Sequence, residues 1–227
     1  MGTLLNRRRY MGGVDNSIPT WQSYIQNGLV ACWDGEANTG NTHDANATNW
    51  IDCVSGIVLA GTNASWGENY ANFDGTTRYI ASDNNAKAAI SNLYAEAVFM
   101  TTDPSAFQIV LMSDGKRIIG LNTSVLVISG SRSGDRNGFS PITTSDIVSL
   151  SINYNTWGLY KNGVEQNPIG KYNNGAALGD YRVGVRYNNG FSGFFKGKLY
   201  SLRFYNRALS SSEIAMNFNI DKKRFGI

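Results

Sequence analysis

Hydrolysis of a glycosidic bond takes two carboxyl groups about 5–9 Å apart, one as acid and the other as base or nucleophile. The acidic residues of this chain are scattered. Glu96 is alone on its apolar run, Glu68 and Glu165 fall in turn or hairpin positions, and no Glu-x-Asp-x-x-Glu or close variant would bring two onto one strand face. The single histidine, His43, lies in a polar Asn/Thr/Gly loop, and no Gly-x-Ser-x-Gly elbow offers it a nucleophile. No catalytic residue is therefore assigned, and the chain is expected not to be an enzyme. Other residue types suit binding. A pyranose stacks its apolar face on an aromatic ring and hydrogen-bonds at its edges to amides and hydroxyls. Trp66 in Ser65-Trp66-Gly67, Tyr172 beside Asn173, and Tyr187 beside Asn188 offer that combination, so Trp66, Tyr172, Asn173, Tyr187 and Asn188 form the expected glycan-binding set. Phe191, Phe194 and Phe195 around Gly193 make a further exposed-looking cluster.

Short β-strands must carry these residues. Period-2 alternation predicts strands near 28–34, 50–54, 70–73, 78–81, 92–101, 106–112, 117–121, 124–129, 147–152, 156–161, 181–187 and 197–205. Turn clusters rich in Gly and Asn separate them, among them Ser131 to Ser140. Asn162-Gly163 predicts a type I′ hairpin, because both residues tolerate the positive φ that such a turn requires. Near the end, Ser210 and Glu213 make a capping box that starts a helix. Many short strands with Gly/Asn turns predict a sandwich. Trp33, Trp50 and Trp157 lie on strand patterns and are assigned to its core, whereas the candidate rings in loops could equally plug its ends or form a protein interface.

The order of these pieces carries a resemblance. Trp157-Gly158-Leu159-Tyr160-Lys161-Asn162-Gly163, then Gly197-Lys198-Leu199-Tyr200-Ser201-Leu202-Arg203-Phe204-Tyr205-Asn206-Arg207-Ala208-Leu209-Ser210, with Phe73-Asp74-Gly75 and Tyr79 and the opening Gly28 to Asp34, resembles laminin-G-like (concanavalin A-like) domains over residues 28 to 225. The resemblance implies an all-β jelly-roll sandwich with one short C-terminal helix. Relatives often hold a structural calcium ion with carboxylates from the opening strand and an aspartate on the last long strand. Asp34 and Glu36 stand at the first position, two apart and so on one face of an extended segment, but Tyr200 replaces the aspartate. No metal or other cofactor is expected.

The 227 residues suit one domain, and no apolar run approaches the ~20 residues of a membrane helix, so no membrane insertion is expected. The formal net charge of +3 is uneven: residues 1–27 carry Arg7, Arg8 and Arg9 against Asp15, residues 218–227 are likewise +2, and the body between is −1. A neutral body excludes a broad nucleic-acid face. It leaves a basic arm, residues 1–27, for docking partners through Arg7, Arg8 and Arg9, followed by the jelly roll at 28–227. The alternative is a solvated tail. Cys32 and Cys53 could meet; the start of the chain carries no export signal, and reducing conditions favour free thiols.

The opening Leu4 to Gly13 and the run Ile25 to Gly40 resemble laminin-G-domain proteins of phages and prophages of gut bacteria. That resemblance implies a virion structural protein made in a host cytoplasm, decorating a head or fibre. It would be a homo-oligomer held to other virion proteins by its arm, and it would touch glycans. The alternative is a cellular or secreted carbohydrate-binding module whose signal peptide lies outside this sequence.

Overall fold

A computed structural model describes residues 17–81, 94–113, 116–122, 125–129, 137–141, 143, 146–153, 158–166, 181–187 and 189–227. Among them the strands run, in chain order, β1 (Leu29–Asp34), β2 (Asn49–Ile51), β3 (Val58–Thr62), β4 (Ala71–Asp74), β5 (Arg78–Ala81), β6 (Tyr94–Thr101), β7 (Gln108–Ser113), β8 (Lys116–Asn122) and β9 (Val125–Ser129). They continue as β10 (Asn137–Pro141), β11 (Val148–Asn153), β12 (Gly158–Lys161), β13 (Val164–Gln166), β14 (Tyr181–Val183), β15 (Arg186–Tyr187), β16 (Phe191–Ser192) and β17 (Lys196–Tyr205), before helix α1 (Ser211–Phe225). The first sheet has the order β1-β17-β6-β11-β12-β13, and β4 also pairs with β17. The second has the order β10-β9-β8-β7-β14-β5-β3-β2. β15 and β16 form a separate hairpin. The chain is an all-β sandwich of the concanavalin A-like kind with one C-terminal helix, as its motifs imply.

β17 organises the first sheet. It pairs along one edge with β6, and along the other with β4 at Lys196–Leu199 and with β1 at Ser201–Tyr205. The register shifts between Leu199 and Ser201, so Leu199 joins Leu202 and Phe204 in the core although alternation alone would turn it outward. Ala31, Trp33, Ala95, Ala97, Phe99, Leu150 and Leu159 from the same sheet meet Trp50, Leu59, Tyr79, Leu111, Tyr181 and Val183 from the other. Edge-to-face rings fix the layer: Trp33 on Phe204 at 5.6 Å and Trp50 on Tyr79 at 5.6 Å.

The outer face of the first sheet lies beneath α1. Ser210 accepts from the amide of Glu213 and the Glu213 carboxylate accepts from the amide of Ser210, so the capping box forms as its residues require. The β12–β13 hairpin likewise turns at Asn162 and Gly163, with φ of 52° and 73°.

Some expectations change. β3 was not anticipated, because Val58-Leu59-Ala60-Gly61-Thr62 is weak in strand formers; pairing on both sides with β2 and β5 overrides that propensity. β10 lies inside a stretch read as turn, where its Gly and Pro are tolerated because it is an edge strand. Residues 20–26, counted with the arm, pack on the body: Tyr24 is buried, and the amide of Ile25 donates to Asn217 Oδ1 at 2.9 Å. Phe195, read as exposed, is fully buried between Phe73 and Phe99. Arg7, Arg8, Arg9 and Trp157 lie outside the described residues.

Candidate functional site

The β15–β16 hairpin stands on the second sheet. Asn189 and Gly190 in its turn adopt φ of 54° and 147°. Its base is held by the Tyr187 amide donating to Met112 Sδ, the Ile109 amide to Gly193 O, and the Phe195 amide to Gly184 O. Tyr187 and Phe191 are directly opposed across the two strands, with ring centroids 5.1 Å apart. They remain 43% and 42% exposed, which makes them the exposed large aromatic residues among the described ones. Each ring meets a guanidinium from the sheet below: Arg78 lies 4.4 Å over Phe191 and Arg182 4.9 Å from Tyr187. Arg182 pairs with Ile80, two residues beyond Arg78 on β5, so the arginines are diagonal neighbours on the outward side, opposite to the buried Tyr79 and Val183. The result is an open shelf of two rings on two cations.

The other expected residues disperse. Trp66 is half-buried; its Nε1 donates to Ala47 O at 2.7 Å and its ring packs at 5.3 Å on Trp50, so it closes the core rather than standing free. Tyr172, Asn173 and Asn188 lie outside the described residues. His43 is exposed, with Nδ1 2.9 Å from Gly35 O. Cys32 and Cys53 are free thiols, although the Cys53 amide donates to Cys32 O.

Sequence reasoning missed a buried ionic layer between α1 and the first sheet. Arg203 of β17 donates from Nε to Glu96 Oε2 at 2.9 Å and from both terminal nitrogens to Asp221 at 2.9 and 3.0 Å. Ser151 donates to Glu96, Ser149 to Asp221, and Asn217 to Glu96 and to the Tyr205 hydroxyl. Tyr24 caps the layer, donating to Asp221 at 2.7 Å while its ring stacks on Arg203. Burial pushes the Glu96 carboxyl above the usual carboxylate range, and the Arg203 charge opposes that rise. Glu96 is therefore a structural ion, enclosed and fully engaged. A signal was present: Asn217, Asp221 and Arg224 recur at i, i+4 and i+7, so one face of α1 is polar where an apolar stripe is the rule.

Asp34 and Glu36 converge, though not on an extended face. Asp34 ends β1 and caps a 3-10 turn, Gly35–Ala37, that carries Glu36. Arg224 fills the space between them: it donates to both oxygens of Asp34 at 2.7 and 2.9 Å and to Glu36 at 2.9 Å. The third calcium position is Tyr200, whose ring packs against Tyr70 and Phe225. These residues do not fit a calcium ion, because a fixed cation already takes the carboxylates and the remaining donor is a phenol. A cavity of about 330 Å³ opens beside them, lined in part by Thr20, Trp21, Asn41 and Glu36.

No family model matches the chain, and no curated protein matches it. Solved structures do. A Trypanosoma rangeli sialidase in complex with sialic acid superposes with a TM-score of 0.63 at 16% identity, over 90% of this chain and 34% of the sialidase. The binding domain of botulinum neurotoxin DC in complex with SialylT gives 0.60 at 13% identity, over 85% of this chain and 51% of that one. Domain 4 of an extracellular arabinanase from Geobacillus stearothermophilus, in complex with arabinotriose, gives 0.55 at 16% identity, over 82% and 96%. The chain spans about a third of the length of the sialidases it matches. At such identities the likeness is one of fold alone, that of a β-sandwich.

Proposed function

We propose that this protein is a non-catalytic carbohydrate-binding domain whose recognition surface is the β15–β16 shelf. The observation that carries the reading is the Tyr187–Phe191 pair, two large rings left open to solvent on a pinned hairpin where the fold gains nothing from their exposure. Sugar C–H faces stack on such rings. The fold neighbours support the reading, since one is described in complex with sialic acid and another with arabinotriose. The non-catalytic part rests on Glu96, which is buried and held by Arg203, Ser151 and Asn217 beneath α1. Tyr172, Asn173 and Asn188 stay in the proposal as further glycan-binding residues.

The setting proposed is display on a virion, with Arg7, Arg8 and Arg9 docking acidic surfaces of other virion proteins in a homo-oligomer; the sequence resemblance alone supports it. A saccharide array that includes host, plant and bacterial glycans, with product analysis for each binder, tests the function. Binding without cleavage is expected. Cleavage of a bound saccharide, or an array with no binder, overturns the reading.

A further inference from the structure

The two rings of the shelf do not stand alone, and their neighbours determine what they should prefer. Arg78 projects from β5 beneath Phe191, with its guanidinium carbon 4.4 Å from the ring centroid. Among the described residues it makes no ion pair, and its Nε is buried with no hydrogen-bond acceptor. That state contrasts with Arg203, Arg207 and Arg224, each of which is neutralised by carboxylates. A guanidinium offers five N–H donors in a fixed fork, and leaving it without an acceptor forfeits charge-assisted bonds. Arg182 brings a second positive charge beside it on the same face, diagonal across the β5–β14 pair. The stacking rings and the paired cations are thus contiguous: Phe191 touches Arg78, Tyr187 touches Arg182, and the rings touch each other.

We infer that the shelf selects acidic saccharides, a pyranose whose apolar face lies on Tyr187 and Phe191 while its carboxylate or sulfate takes the fork of Arg78. The inference rests on the carbohydrate-binding reading and adds the charge class of the ligand. A flat planar fork also distinguishes the two anions, because it matches a carboxylate with two parallel bonds, so carboxylated sugars are expected to lead.

The experiment is calorimetry on the full chain with probes that differ only in charge: trigalacturonic acid against its methyl ester, and 3′-sialyllactose against its sialyl methyl ester, with lactose 3′-sulfate for the other anion. At least one acid is expected to bind about ten-fold or more tightly than its ester, the scale of a charge-assisted pair. Arg78→Gln should erase that difference. Salt should weaken the acid and spare the ester. A sulfate that binds as the carboxylates do keeps the anionic class and removes the fork preference. Equal binding of acid and ester, or an Arg78→Gln variant that keeps the preference, overturns the inference while the carbohydrate reading stands. Binding of none of the probes or of the arrayed saccharides overturns both. Self-association that Arg78→Gln or Tyr187→Ala abolishes would assign the shelf to a second copy and overturns both as well.

Discussion

Arg203→Met is the sharpest perturbation of the fold. The methionine keeps most of the buried stem volume and removes the charge. Arg203 is 1% exposed at the side chain, and its carboxylate partners Glu96 and Asp221 are 1% and 0% exposed. Its loss breaks three bonds of 2.9 to 3.0 Å to those carboxylates and strands both beneath α1. Removing one partner of a buried pair costs about 3–5 kcal/mol, because the other charge stays buried without compensation. For a domain of this size that corresponds to a fall of about 6–20 °C in melting temperature, at about 2–4 °C per kcal/mol. The assay is thermal and urea unfolding followed by tryptophan fluorescence. Adding Glu96→Gln should recover part of the loss, since the neutral amide no longer needs a cation and keeps its contact with Ser151. A loss below about 1 kcal/mol, or strictly additive costs for the two changes, would refute the reasoning.

The helix cap gives a pH-dependent counterpart. Bonding to Arg207 and to Ser210 lowers the Glu213 carboxyl to about 2, so its stabilisation is complete above its ordinary value near 4.5 and is lost as pH falls toward 2. Glu213→Ala should cost about 0.5–2 kcal/mol at neutral pH, and that deficit should shrink below pH 4.5 in acid-unfolding curves. Gly197→Ala should cost more than about 2 kcal/mol in the same melts, because its φ is +153° and an added Cβ would sit 2.0 Å from Met100 O in the β6–β17 pair. Calcium or EDTA should leave the wild-type melting temperature unchanged, since Arg224 holds Asp34 and Glu36; a rise of several degrees with calcium would show that the ion displaces the guanidinium.

Much of the sandwich was legible because its strands are bounded by Gly/Asn turns and alternate strictly where one face meets solvent. The legibility failed where both faces are buried. β6 reads as apolar with one stray glutamate, and only its pairing with β17, which sets Arg203 opposite, turns Glu96 from an oddity into half of an ion pair. Local sequence cannot show which strand supplies Arg203, 107 residues away. The bulge at Tyr200 was hidden for a similar reason, since it is set by pairing with β6 rather than by any turn residue. At the candidate site the sequence pointed to Tyr187 and to the Phe191 cluster, but not to their convergence. Arg78 and Arg182 reach the rings only through the β5–β14 register, which no spacing along the chain encodes.

The measurement closest to the central claim compares wild type with Tyr187→Ala and Phe191→Ala for binding to the best saccharide from the array, alongside the melting temperature of each. Each ring is more than 40% exposed, so truncation should leave stability within about 0.5 kcal/mol, the usual range for surface sites. Affinity should fall by about 1–3 kcal/mol per ring, roughly 5- to 150-fold. Unchanged affinity in both variants, or a large fall in melting temperature with no saccharide bound by the wild type, would contradict the account.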